Sequence, residues 1–134
     1  MSRKMPQVRE YMTKSPRVID AVESLERAHS LMNEWKLRHL PVEKNQHLVG
    51  VLSERNLTAI RMHAKADFTV EDAMIPEPFV VAPNAPLDEV VDTMANEKYG
   101  CAVIQNEEGQ TEGIFTTVDA FRALRVLLGV VYDS

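Results

Sequence analysis

The sequence predicts an α/β (α+β) protein made of two similar units, each a short mixed sheet with flanking helices. Three observations predict it. First, the chain repeats itself at an offset of 62 residues: Met12 matches Met74, Pro16 matches Pro78, Val18 matches Val80, Leu25 matches Leu87 and Met32 matches Met94. Second, each copy carries one stretch of helical hydrophobic period, followed by two short apolar runs around a polar loop. Third, each copy ends in the same kind of turn, Gly50-Val51-Leu52-Ser53 and, after one extra residue, Gly113-Ile114-Phe115-Thr116. A fixed internal period of this kind marks one structural unit used twice. The units run over 5–62 and 67–128, joined by Met62-His63-Ala64-Lys65-Ala66-Asp67, with residues 1–4 and 129–134 as tails. A unit of about 60 residues has little surface to bury alone. Each is therefore expected to lack a self-sufficient core and to bury its apolar face against the other.

Taken in order, Val8 to Met12 and Val70 to Met74 read as short helical turns. A break follows at Pro16 and Pro78, because proline drives the residue before it out of the helical region. Arg17–Ile19 and Phe79–Val81 then read as brief extended pieces. An amphipathic helix comes next: Leu25, Ala28, Leu31, Met32 and Trp35 in one copy, and Leu87, Val90, Val91 and Met94 in the other, recur at helical spacing. Proline is tolerated only in the cap or first turn, so Pro86 fixes where the second of these helices starts. Two strands follow in each copy. His39–Val42 and His47–Leu52 flank Glu43-Lys44-Asn45-Gln46, and Cys101–Ile104 and Thr111–Phe115 flank the loop 105–110. Both loops suit a hairpin. The last helices are expected to begin at Glu54 and Thr117.

The chemistry concentrates where those last helices begin. Thr116 is a natural N-cap, and Asp119 falls in the first turn, near the positive end of the helix dipole. The first N–H groups of a helix have no partner within it, and a phosphate can take them. Asn56 stands where Asp119 stands. A carboxylate can accept two charge-assisted bonds from a cis-diol, whereas Asn56 offers one neutral carbonyl oxygen. Arg38 and Arg55 are candidates to pair with phosphate. The pattern Thr116-x-x-Asp119 is also a capping box, which accounts for both residues without any ligand. Asn56 alone reads equally as an ordinary first-turn residue.

Composition narrows the classes. A formal net charge of −5 over 134 residues argues against non-specific nucleic-acid binding, which needs clustered Lys and Arg. The single cysteine, Cys101, excludes an intrachain disulfide and a cysteine-cluster metal site, and it reads as a small buried hydrophobe. His29, expected near the core, and His47 and His63 show no ligand spacing, so no metal is expected. No apolar run is long enough for a bilayer and no signal-peptide pattern opens the chain, so a cytoplasmic, non-membrane protein is expected. No phosphate-binding glycine loop or nucleophile-and-base arrangement is present, so the reading is not an enzyme.

The residues resemble a known family. The tandem units hold Met12-Thr13-Lys14-Ser15-Pro16, an amphipathic helix, Arg38-His39-Leu40-Pro41-Val42 and Gly50-Val51-Leu52-Ser53-Glu54-Arg55-Asn56, and they are similar to CBS domains, two of which form a Bateman module. The likeness covers about residues 5–128. The second copy departs from it: Ala73-Met74-Ile75 lacks the threonine, and Gly100-Cys101-Ala102-Val103 lacks Arg, His and Pro. The resemblance implies two repeats packed as a pseudo-two-fold pair. It also implies a regulatory module that binds adenosine nucleotides (AMP, ADP or ATP), S-adenosylmethionine or NAD in clefts between the repeats, signalling to a separate protein. Carried over, one cleft uses Thr116, Thr117 and Asp119 with Arg17, Val18, Ile19, Arg38, His39 and Leu40. The other uses Ser53, Arg55 and Asn56 with Phe79, Val80, Val81, Tyr99, Gly100, Cys101 and Ala102. The Asp119 cleft is expected to hold the ribose more tightly. The family commonly forms flat two-fold dimers, and the apolar tail Val126–Tyr132 makes a homodimer the expectation. The competing class is a ligand-free interaction or dimerisation module.

Overall fold

A computed structural model describes residues 3–63 and 67–132 of the chain. In chain order the elements are a 3-10 turn (Val8–Glu10), β1 (Thr13–Lys14), β2 (Ile19–Asp20), α1 (Leu25–Trp35), β3 (His39–Lys44), β4 (His47–Ser53), α2 (Glu54–Arg61), α3 (Val70–Ala73), β5 (Ile75–Pro76), β6 (Val80–Val81), α4 (Leu87–Glu97), β7 (Cys101–Gln105), β8 (Thr111–Thr116) and α5 (Thr117–Val131). Both final helices begin where the turns place them. Pro86 is the N-cap of α4. Residues 64–66 of the joining segment lie outside the described residues, as do 1–2 and 133–134.

One packing unit is Pro16–Pro78, carrying the sheet β2-β3-β4-β5; the other joins the chain up to Ser15 with Phe79 onward and carries the sheet β1-β8-β7-β6. The two sheets share one plan. In the first, β2 runs parallel to β3 with Ile19 opposite Val42, and β3 and β4 form an antiparallel hairpin. In the second, Val80 lies opposite Val103 in the parallel pair and Val103 opposite Ile114 in the hairpin. Asn45 and Gln46 turn the first hairpin at φ of 53° and 67°, the left-handed pair that a two-residue hairpin needs.

The units do not coincide with the repeats, because the head of each repeat has changed places. β1 pairs with β8, Thr13 against Ile114, and β5 pairs with β4, Ile75 against Val51. In sequence, Thr13–Lys14 and Ile75–Pro76 fall in the breaks before Pro16 and Pro78, and nothing local says which strand they join. The exchange explains the two glycines. A Cβ on Gly50 would stand 2.7 Å from the Ile75 carbonyl oxygen and 2.6 Å from the Met74 sulfur, and one on Gly113 would collide with Met12. Glycine is needed there for close backbone approach.

The same exchange completes the cores. In Pro16–Pro78, Leu25, Ala28, Leu31 and Met32 of α1 pack with Leu40, Val42, Leu52 and Leu57, and α3 adds Val70 and Ala73. In the other unit, Leu87, Val90 and Met94 of α4 pack with Ala102, Ile104, Phe115 and Ala123, and the 3-10 turn adds Val8. Backbone bonds hold the plugs in place, Val70 N to Glu23 O at 2.8 Å and Val8 N to Ala85 O at 2.9 Å. Each plug valine is wholly buried, worth about 1.5–3 kcal/mol. Each packing unit thus has one core, and each core takes residues from both repeats, so neither repeat is self-sufficient, as expected.

Helix α1 ends at Lys36 (φ 56°) and α4 at Lys98 (φ 59°), both left-handed caps. Leu37 N and Tyr99 N then bond back to Met32 O and Met94 O, each at 3.0 Å. These caps turn the chain into β3 and β7 at matching places. The expected tail also changes: residues 129–131 continue α5 as helix.

Candidate functional site

The turn between β8 and α5 is built as a reciprocal cap. The Asp119 N–H points at Thr116 Oγ1 (3.4 Å), while Thr116 N donates to Asp119 Oδ2 at 2.9 Å and the Thr116 hydroxyl to the same oxygen at 3.2 Å. The other carboxylate oxygen, Oδ1, accepts the hydroxyl of Thr13 at 3.0 Å. Arg122 approaches Oδ1 at 3.7 Å from solvent. Both oxygens of Asp119 are therefore engaged, and the residue is only 4 % exposed. Burying a carboxylate is tolerable only with such partners. Thr117 and Val118 are exposed beside it.

The twin turn is simpler. Ser53 is buried and its hydroxyl accepts from Asn56 N at 3.0 Å. Asn56 is half-buried, and among the described residues its side chain has no hydrogen-bond partner. Arg38 and Arg55 are exposed, and neither forms an ion pair among the described residues. Unpaired guanidiniums beside a helix start suit a phosphate.

The register shows which expected residues each sheet gathers. In Pro16–Pro78, His39 lies opposite Ser53, and the parallel pairing of β2 with β3 brings Val18 and Ile19 to the same end of the sheet as Arg38, Leu40, Arg55 and Asn56. In the other unit, Cys101 lies opposite Thr116, and Phe79–Val81 come to the same end as Tyr99, Gly100 and Ala102. The rings of Phe79 and Tyr99 sit 5.2 Å apart, an aromatic pair with Tyr99 partly open to solvent. Arg17 is stacked on Trp35 at 4.3 Å, which holds its guanidinium by a cation–π contact. Ile19, Leu40, Cys101 and Ala102 are buried, so they have mainly backbone to offer a ligand. Val80 remains exposed.

Electrostatics separate His39 from its neighbours. Burial, with Arg38 beside it, lowers its pKa below the usual 6.5, and Glu54 opposes this only in part. The thiol of Cys101 is pushed up to about 12 by burial, so it is an inert packing group. Among the described residues no three His, Cys, Asp or Glu side chains come together as a metal site. No described helix is long and apolar enough to cross a membrane.

Sequence reasoning passed over Thr13 as a site residue. The signal was present: Thr13 pairs with Ile75 in the repeat just as Asp119 pairs with Asn56, so one packing unit holds both the hydroxyl and the carboxylate and the other holds neither at these positions.

The sequence model of the CBS domain family matches residues 8–63 and 70–126. A Vibrio cholerae protein provisionally described as the acetoin utilization protein AcuB is 28% identical, each chain covering 98% of the other, with a TM-score of 0.84. CBSX2 of Arabidopsis thaliana, solved in complex with AMP, is 26% identical over 90% of this chain and 97% of its own, with a TM-score of 0.79. Among curated proteins, the inosine-5'-monophosphate dehydrogenase of Korarchaeum cryptofilum is 29% identical over 85% of this chain. The chain spans only 22% of the length of that enzyme. The two repeats, their mixed sheets and their matching turns carry the assignment: the chain belongs to the CBS domain family.

Proposed function

We propose that this protein is a regulatory, non-catalytic module that takes an adenosine nucleotide or related adenosyl compound at its two strand–turn–helix sites and signals occupancy to a separate protein. The observation that carries the reading is the pair of turns, Ser53–Asn56 and Thr116–Asp119, set in a CBS pair. The AMP complex of CBSX2 supports the ligand class for a chain of this fold. In the chemistry on offer, Asp119 and Asn56 accept from ribose hydroxyls, and Arg38 and Arg55 meet phosphate. Main chain at Val80, Val81 and Gly100, with the Phe79–Tyr99 pair, offers adenine a flat apolar surface and hydrogen-bonding edges. The test is equilibrium binding of AMP, ADP, ATP, S-adenosylmethionine and NAD. A dissociation constant below about a millimolar for at least one compound, weakened by Asp119→Ala or Asn56→Ala, is the expected result.

Two observations favour a second reading, a ligand-free dimerisation module. Asp119 is already satisfied inside the protein. Helix α5 also exposes Phe121 (71 %), Leu124, Leu128 and Val131 (67 %) at spacings of three, four and three residues, one apolar stripe along its length. A homodimer through this stripe is compatible with both readings. No binding by any compound in the panel, with a dimer in solution, decides for the second.

A further inference from the structure

The two turns differ in what covers their acceptor. At Asp119 the position opposite, on β1, is Thr13, whose hydroxyl reaches Oδ1 at 3.0 Å. At Asn56 the equivalent position, on β5, is Ile75, which has no hydroxyl to give. We propose that Thr13 is a positioning residue that latches Asp119, occupying the carboxylate oxygen that a ribose diol needs and so weakening, conditionally, the site that sequence alone makes the tighter one. This rests on the reading of the Thr116–Asp119 turn as a ribose-holding site.

The geometry makes the latch both effective and reversible. Oδ2 is committed to the cap through Thr116 N at 2.9 Å, and opening it would unmake the start of α5. Oδ1 is the oxygen a diol can win. It is held by a neutral hydroxyl and a distant guanidinium at 3.7 Å. Thr13 itself is exposed. Its hydroxyl, once turned away, bonds to water, so release leaves no buried donor unsatisfied. A buried threonine would make the exchange prohibitive. Thr13 also sits on a two-residue edge strand, held to β8 through Ile114, so a ligand that displaces its side chain acts directly on the head of the chain. The Asn56 turn has no such gate.

The test is titration calorimetry with AMP as the probe on the full chain. Thr13→Val keeps the shape and removes the donor; Thr13→Ser keeps the donor. The net contribution of one hydrogen bond corresponds to about a fivefold change in affinity. Thr13→Val is expected to tighten by that factor the AMP event that Asp119→Ala removes, while Thr13→Ser stays at the parent value. A second pair guards against a fold defect. Asn56→Asp with Ile75→Thr rebuilds the latch on the other turn, and should bind AMP about fivefold more weakly there than Asn56→Asp alone. A purely structural Thr13 predicts a lower melting temperature with unchanged or weaker AMP binding in Thr13→Val, and no difference within the second pair. That pattern overturns the latch and leaves the ribose site standing. An AMP event that Asp119→Ala leaves untouched, or no AMP event in any variant, removes the site and the latch together.

Discussion

Thr13 Oγ1 donates to Asp119 Oδ1 at 3.0 Å although 106 residues separate them. The bond joins the head of the first repeat to the helix start that closes the second. It exists because β1 lies on β8, with Thr13 opposite Ile114. Asp119 thereby serves two tasks at once: it caps α5 and anchors β1.

The capping role gives the first expectation. Asp119→Ala removes the reciprocal cap and the Thr13 anchor, and should lower stability by about 2 kcal/mol in urea unfolding. Ser53→Ala should lower it by about 1 kcal/mol. Asn56→Ala, whose side chain holds no partner among the described residues, should stay within about 0.5 kcal/mol. Equal losses for Asp119→Ala and Asn56→Ala would contradict the asymmetry between the turns.

Close backbone approach gives the second. In Gly50→Ala the new methyl meets the Ile75 carbonyl oxygen at 2.7 Å, which cannot yield without moving β5. A loss of about 1–3 kcal/mol is expected, as for overpacking. At Gly113 the nearest backbone oxygen, on Thr13, is 3.0 Å away and the main clash is with the flexible Met12 side chain. Gly113→Ala should therefore cost less; the reverse order, read from chemical denaturation of both variants, would refute the account.

Burial of His39 gives a pH signature. Its pKa is lowered in the folded state, so near 6.5 the unfolded chain takes up the proton first. The contribution of His39 is full above about pH 6.5 and is lost as pH falls from there through the lower, folded value. His39→Gln should flatten that part of the stability profile. If the parent and His39→Gln profiles run parallel between pH 7 and pH 5, the burial account of His39 fails.

The exposed stripe on α5 predicts self-association. Light scattering at high micromolar concentration should give twice the monomer mass, and Phe121→Glu with Leu128→Glu should return a monomer that keeps the parent's circular-dichroism spectrum, since both side chains are exposed. A parent protein that stays monomeric there ends the homodimer reading.

The turns predict a ligand effect on stability. A compound held only by the folded chain raises stability by about 2.7 kcal/mol at a hundredfold excess over its dissociation constant. Thermal scans with AMP and ATP at millimolar concentration should show the rise. No shift with either would favour the ligand-free module.

Much of this molecule is legible along the chain. The repeat, the amphipathic helices α1 and α4, the hairpins β3–β4 and β7–β8, and the starts of α2 and α5 all rest on local signals: hydrophobic period, a proline at a cap, a hydroxyl at a turn. Those signals act between residues a few positions apart, so sequence determines them. Even the difference between Asp119 and Asn56 can be read by eye. The tertiary structure decided the rest. It placed β1 with β8 and β5 with β4, sent Val8 and Val70 to plug the core beside the other repeat's helix, half-buried His39, and stacked Arg17 on Trp35. It also turned Asp119 from a free acceptor into one held by Thr13. Two-residue strands have no period to read, and a hydrogen bond across 106 residues leaves no local trace. Which hydroxyl meets which carboxylate is settled only when the sheets form.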